Sequence, residues 1–357
     1  AITLIADGQL FYRGHNVLTL AMDARFEQVA LLLWREDTAL HQLPPMPAMT
    51  FVPGPLPAAL ARSMAELVSQ GHVAEALQLA LICVAPHDLA AYSTSPPAVQ
   101  QTGLRLLDLL TTLFEYAATV SNTKQEPTPM PAQAHTGELT IAQRLQQSWL
   151  PTRPALAPLF DRALILCADH ELNASSFTAR CVASTGATPY AAIVAALAAL
   201  QGYRHGGSTL EVAALFHEAK EDPEWAVRAR LRQGKIVPGF GHRLYPEGDP
   251  RAKLLLQTVQ EVVGDGTRQG ERNQGAAVLK TAEALITITS QATGLYPNLD
   301  FGLVLLAQAL ELPEHVPFSL FALGRTAGWI GHLIEQYRLD QLIRPRALYT
   351  GLRPQQG

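Results

Sequence analysis

The chain has 357 residues, long enough for two domains or one large helical domain with a sizeable core. Its 27 Lys+Arg stand against 31 Asp+Glu, a formal net charge of −4 without a long block of like charge, which argues against a general nucleic-acid or membrane-surface binder. Three widely spaced cysteines, Cys83, Cys167 and Cys181, form neither a disulfide framework nor a zinc pattern, so a reducing, cytoplasmic compartment is the expectation.

Residues 1–16 carry Gly8 and Gly14 and alternate loosely, which suits a short extended or hairpin-like entry. The start lacks the charged region, apolar stretch and cleavage site of a signal peptide. From Arg25 the pattern turns helical, with Phe26, Val29, Ala30, Leu33 and Trp34 at three-to-four spacing on one face. A proline-rich connector covers 43–57. The next helix carries Leu60, Met64, Leu67 and Val68 on one stripe and stops at Gly71. An apolar segment, 73–84, is closed by Pro86, and 97–119 reads as helix with Leu104, Leu107, Leu110 and Leu113 inward. The apolar stretches 73–86 and 190–200 are too short or too interrupted to span a bilayer, so no membrane segment is expected. Residues 121–138 form a polar, proline-rich surface connection with a solvated His135. Helix returns at Ile141 and again after Pro158. Strand-like alternation is scarce, and so many periodic segments in succession point to an all-α protein.

The second half holds most of the chemistry. Asp169 to Ser175 lie between an apolar helix end, 164–168, and a helix of small residues. An Ala-rich helix, 191–200, ends at Gly202-Tyr203-Arg204-His205-Gly206-Gly207. Residues 216–235 read as a charged helix with a solvated face, and 253–263 and 272–288 as further helices. Pro297-Asn298 opens one more, Gly324 to Trp329 lie in a penultimate helix, and Arg344-Pro345-Arg346 lie in an extended tail.

Between these helices, 237–251 contains Pro238, Pro246, Pro250, Gly239, Gly241 and Gly248, which break any helix and leave a shaped loop with amides to offer. His242 there can donate a hydrogen bond or move a proton, and Arg251 presents a planar fork matched to a carboxylate. Taken singly, His170 or His205 reads as a helix cap and Asp300 as a cap after Pro297-Asn298. Arg325, between glycines in an apolar helix, needs a partner. His15, His41, His72, His87, His217, His315 and His332 read as surface or structural. No dinucleotide fingerprint, Walker loop or zinc-protease helix is present, and the histidines are too scattered to imply a metal. Together, three histidines, one aspartate and several arginines fit a carbon–carbon bond-forming site on a dicarboxylic acid.

The blocks Asp169-His170-Glu171-x-Asn173-x-Ser175, His205-Gly206-Gly207, Pro238-Gly239-Phe240-Gly241-His242-Arg243-x-Tyr245 through Asp249-Pro250-Arg251, Pro297-Asn298-x-Asp300-Phe301, Gly324-Arg325-Thr326-Ala327-Gly328-Trp329-Ile330 and Arg344-Pro345-Arg346 follow one another in an order that resembles the citrate synthase family. Tyr12-Arg13-Gly14 and Phe26 to Trp34 resemble its N-terminal part.

The resemblance implies a two-domain all-α homodimer, with a large domain at 1–205 and 313–357 and a small closing domain at 206–312. It implies that His170 and His242 bind oxaloacetate, His242 at the ketone, that Arg251 and Arg325 hold its carboxylates, and that Asn173 and Arg344 also bind substrate, Arg344 from across the dimer interface. Asp300 would take a methyl proton from acetyl-CoA while His205 donates to the thioester oxygen. The loop of Val237, Gly239, Phe240 and Gly241, with Arg243, would meet CoA. No metal or permanently bound cofactor is implied, and acetyl-CoA or propionyl-CoA is a cosubstrate. The alternatives are a 2-methylcitrate synthase using propionyl-CoA and a weakly active oxaloacetate-sensing homologue. Phe301-Gly302-Leu303-Val304 departs from the Tyr-Ser-Gly or His-Ser-Gly turn of many relatives, which bears on the acyl pocket. The proline-rich loop and the start at Ala1 resemble a bacterial subset whose longer chains carry an N-terminal DNA-binding helix-turn-helix. That element is absent from these 357 residues, and nucleic-acid binding is not expected of them.

Overall fold

The chain enters through a three-stranded antiparallel sheet, β1 (Thr3–Ala6), β2 (Gln9–Tyr12) and β3 (His15–Asn16), in the order β1-β2-β3. The structure, a computed structural model, describes residues 2–35, 58–122, 139–264 and 269–352. Both hairpin turns use consecutive positive φ angles, 51° and 71° at Asp7-Gly8 and 48° and 85° at Arg13-Gly14, the geometry that matches strand twist in two-residue loops. Asn16 then caps α1 (Val17–Asp23), its side chain accepting from the N–H groups of Leu18 and Thr19. This short helix is not anticipated by the sequence reading, because seven residues are too few to show a period.

Helices α2 (Phe26–Trp34), α3 (Ala58–Ser69), α4 (Val73–Val84), α5 (Pro96–Asn122), α6 (Ile141–Trp149), α7 (Ala157–Cys167), α8 (Ala174–Ala183) and α9 (Pro189–Leu200) follow. Thr140 and Gln143 form a reciprocal capping box at the start of α6. Helix α7 begins one residue before Pro158 rather than after it, since a proline in the first turn removes only an N–H that has no helical partner. The connector 43–57, the stretch 123–138 and His135 lie outside the described residues, and residues 121 and 122 end α5.

Most of these helices surround α15 (Val316–Leu339), which is buried over nearly its whole length and packs on α2, α5, α7, α8 and α9. Close approach depends on small residues. A Cβ on Gly324 would lie 2.5 Å from the Leu164 carbonyl oxygen, and one on Gly328 would lie 2.2 Å from that of Ala168. The Gly328 N–H donates to that same Ala168 oxygen at 3.0 Å, so α15 is hydrogen-bonded to the end of α7. Among the described residues α15 is the last helix, not the penultimate one.

Helices α10 (Ser208–Ala219), α11 (Pro223–Arg232), α12 (Pro250–Gly264), α13 (Gln269–Thr293) and α14 (Leu299–Ala309) pack chiefly on one another. The charged stretch 216–235 divides between α10 and α11, because Asp222 caps a new helix with Pro223 at its first position. The group meets the rest mainly through α14 on α15 and through α12 on α1 and α7. No helix among the described residues is long and apolar enough to cross a membrane.

Candidate active site

Residues 168–173 connect α7 to α8. Their backbone is held by Tyr12, whose hydroxyl oxygen lies 3.1 and 2.9 Å from the carbonyl oxygens of Ile165 and Asp169 and accepts from the Asp169 N–H at 3.0 Å. Asp169 is fully buried, and its carboxylate accepts from Thr3 and from His332 Nε2, the latter at 3.1 Å. Burial pushes its pKa up, but the neighbouring His332, Arg325 and Thr3 outweigh burial and hold it below the usual carboxylate value.

His170 follows with Nε2 3.1 Å from the Tyr245 hydroxyl, and its ring meets those of His242 and Tyr245 at 5.1 and 5.6 Å between centroids. Burial first, and then the cations Arg251 and Arg325, push the His170 pKa far down, so the ring is neutral at pH 7. His242 is also depressed, by burial and Arg251. Its Nδ1 accepts from the Leu244 N–H at 3.2 Å, so the neutral ring carries its proton on Nε2.

The two arginines are prepared differently. Arg251, on the first turn of α12, is clasped by Asp249: Nε to Oδ1 at 3.0 Å and Nη2 to Oδ2 at 2.8 Å, with the Leu299 N–H also donating to Asp249 Oδ2. Burial works to lower the Arg251 pKa, and the Asp249 carboxylate more than reverses it. Arg325, on α15, is 1% exposed and donates from Nε to the Cys167 carbonyl at 2.8 Å, with its guanidinium 4.9 Å from the Phe321 ring centroid. Its Nη1 is buried and has no hydrogen-bond partner. A buried cationic donor without an acceptor is costly, so this nitrogen is a place for an anion.

His205 and Asp300 are the candidates for acid–base chemistry. His205 Nε2 lies 2.9 Å from Ser175 Oγ, which donates to Asn173 Oδ1 at 2.8 Å and accepts from Trp329 Nε1 at 3.2 Å. Burial, then Arg325, lower the His205 pKa to about 4, so it too is neutral at pH 7. Asp300, in the first turn of α14, accepts from Ser208 Oγ at 2.7 Å. Burial raises its pKa to about 6 despite Ser208 and Arg251, which leaves an ionised but unusually basic carboxylate at pH 7.

The loop 237–241 is tied to the segment that carries this base. Gly241 donates to the Tyr296 carbonyl at 2.8 Å, and Asn298 donates from its backbone to Gly239 O at 2.9 Å and from Nδ2 to Gly241 O at 3.3 Å. Gly239 and Gly241 sit at φ 81° and 82°, conformations that only glycine adopts without strain. Val237 and Phe240 are buried, Phe240 against Phe301. Arg243 is exposed. No group of three or more His, Cys, Asp or Glu among the described residues is placed to hold a metal ion.

The family model for the citrate synthase C-terminal domain matches residues 1–346. The chain belongs to the citrate synthase family. It is 31% identical over 351 residues to a citrate synthase of Mycolicibacterium smegmatis, covering 96% of this chain and 89% of that one. It is 30% identical over 367 residues to 2-methylcitrate synthase 2 of Corynebacterium glutamicum, covering 96% and 88%. A solved structure of citrate synthase from Thermotoga maritima superposes with a TM-score of 0.77 at 27% identity, covering 100% of this chain and 94% of that one. The all-α fold expected from the sequence is the fold of this family, and the protein is an enzyme of the citrate synthase type.

In this member of the citrate synthase family, hydrogen bonds, ring contacts and shared electrostatics link His170, His242 and Arg251, and Arg325 bears on both His170 and His205. Asn173 lies beside them as the cap of α8, accepting from the Ser176 N–H and donating to His170 O. Arg344 is apart from them, exposed beyond the end of α15. Several residues with a part in the site carry no role in the sequence reading. Tyr245, Asp249 and Ser175 stand inside the motifs, while Ser208 and Trp329 contact site residues far from them in sequence. His332 is buried against Asp169 rather than at the surface. Phe301 turns its ring into the core against Phe216 and Phe240, so the departure at this position is filled by packing.

Proposed function

We propose that the chain condenses oxaloacetate with acetyl-CoA, giving citrate and CoA. The observation that carries this reading is the pairing of an unusually basic carboxylate, Asp300, with a neutral imidazole, His205. Thioester methyl hydrogens are very weakly acidic, so a carboxylate removes one only if the oxygen that gains charge is met by a donor as it forms. Asp300 takes the methyl proton, and His205 donates to the thioester oxygen, giving the enol. Arg251 and Arg325 hold the oxaloacetate carboxylates, with the free Nη1 of Arg325 donating to one of them. His242 Nε2–H donates to the ketone oxygen, the enol carbon attacks the ketone carbon, and that oxygen gains the proton. Water then cleaves the citryl thioester and releases the CoA thiol.

In this reading 1–205 with 313–357 is the large domain and 206–312 the small one. Closing the small domain brings the 237–241 loop and Asp300 over the bound dicarboxylate together, since hydrogen bonds join them, and excludes water until condensation is complete. The chain works as a homodimer, with Arg344 reaching the partner's site. Propionyl-CoA is the second reading, supported by a relative named 2-methylcitrate synthase at nearly the same identity as the citrate synthase relative, 30% against 31%. One methyl group discriminates by about 1–3 kcal/mol in an apolar pocket.

The test is thiol release at saturating oxaloacetate with acetyl-CoA or propionyl-CoA. Oxaloacetate-dependent release is the expected result, and the ratio of kcat/KM values identifies the acyl group. Asp300→Ala lowers kcat by about a thousandfold or more while oxaloacetate still binds. Normal turnover in that variant overturns the mechanism.

A further inference from the structure

His332 sits on α15 two turns beyond Arg325, 4% exposed and between two fixed partners. Arg180 Nη1 lies 3.1 Å from its Nδ1, and an arginine only donates, so Nδ1 is the acceptor. A proton of the ring is therefore on Nε2, which faces Asp169 Oδ1 at 3.1 Å. Arg180 is itself fixed, from Nη1 to Glu335 at 3.1 Å and from Nε to Gln336 at 3.2 Å. The other Asp169 oxygen is held by Thr3.

This leaves Asp169 as a buried carboxylate whose charge acts on Arg325 without touching it. Each lowers the cost of the other's burial, and no hydrogen bond or ion pair joins them among the described residues. The Arg325 Nη1 therefore stays free although a carboxylate lies on the same side of α15. Gly328 permits the arrangement, since a Cβ there would lie 2.6 Å from Asp169 Oδ1.

We infer that His332 is a positioning residue for the oxaloacetate site, holding Asp169 where it offsets the charge of Arg325 without occupying the guanidinium nitrogen that takes the substrate carboxylate. The inference deepens the proposed function and rests on it for the identity of the carboxylate ligand. Released from His332, Asp169 is free to turn toward Arg325 and compete with the substrate. The effect therefore falls on oxaloacetate and spares the acyl-CoA side.

The experiment compares His332→Leu and His332→Gln with the wild type in steady-state kinetics and in calorimetry with oxaloacetate alone, with Tm measured for each. A glutamine amide can both donate to Asp169 and accept from Arg180. His332→Leu is expected to raise KM and Kd for oxaloacetate about tenfold, with the acyl-CoA KM within about twofold, and His332→Gln to recover to within about threefold of wild type. Equal weakening of both substrates, or a loss of Tm with unchanged oxaloacetate affinity, overturns the inference. So does a glutamine variant no better than leucine. If His332→Leu does not fold, Thr3→Val releases the other restraint and should weaken oxaloacetate severalfold, and an unchanged Kd there overturns it equally. Absence of thiol release from the wild type would defeat the condensation reading, whereas calorimetry still reads the His332 effect on binding.

Discussion

Asp300 shows how one residue's surroundings set what it can do. An exposed aspartate is too weak a base for a thioester methyl group, and burial beside α10 raises this one to about 6 while Ser208 keeps it ionised. In the proposed mechanism Asp300 acts unprotonated, so kcat/KM for the acyl-CoA should fall tenfold per pH unit below about 6, with the midpoint reporting the free enzyme. Ser208 donates to the charged form, so Ser208→Ala should move this limb upward by about half a pH unit to one unit, as a pH–rate profile would show. A limb that stays in place, or moves down, would take Asp300 out of the role of base. His205 and His242 stand out in the sequence because they lie in Gly-rich turns and loops that serve no helix, whereas Arg251, Asp300 and Arg325 lie on α12, α14 and α15 and stand out only through the motifs around them. Their tuning is not legible. Ser208 is 92 residues from Asp300 and His332 is 163 from Asp169, and neither pairing leaves a local pattern.

At the scale of elements, periodicity locates the long helices and fails at their joints. α5 and α13 extend past their expected ends, α1 is missed, and the charged stretch 216–235 is two helices, because caps and first-turn prolines decide those points. The contact of α15 with the end of α7 is likewise set by single atoms. Gly328→Ala places a Cβ against the Ala168 carbonyl and should cost about 1–3 kcal/mol, with lower Tm and weaker oxaloacetate binding because His170 lies two residues further on. A second joint responds to pH. Asp161 accepts from the Phe26 N–H at the start of α2 at 2.7 Å, and burial, with the nearby Glu27 carboxylate, raises its pKa from 3.8 to about 7. A carboxyl whose folded pKa is raised stabilises the fold most below the unfolded value, and that contribution is lost as pH climbs toward the folded value. Asp161→Asn keeps the acceptor and never ionises. It should match wild-type stability near pH 4 and exceed it by about 1–2 kcal/mol at pH 8, as denaturant titration at the two pH values would reveal.

For the whole molecule, the position of Arg344 carries the argument. It lies exposed beyond α15, while His170, His242, Arg251 and Arg325 belong to one buried constellation of their own chain. In the proposed reading this arginine serves a neighbouring copy, and in a two-fold dimer each chain then completes the other's site. The sequence motif suggests the role, and the fold adds that the residue is exposed beyond α15. The consequence separates a shared site from a self-contained one. Arg344→Ala and Asp300→Ala chains should each be nearly inactive. After unfolding and refolding as an equal mixture, half of the dimers are mixed, and each mixed dimer has one site with an intact Asp300 and an intact partner arginine. Thiol release should recover to roughly a quarter of the wild-type rate. Recovery is impossible if Arg344 acts in its own subunit, because every site would then lack either the base or the arginine.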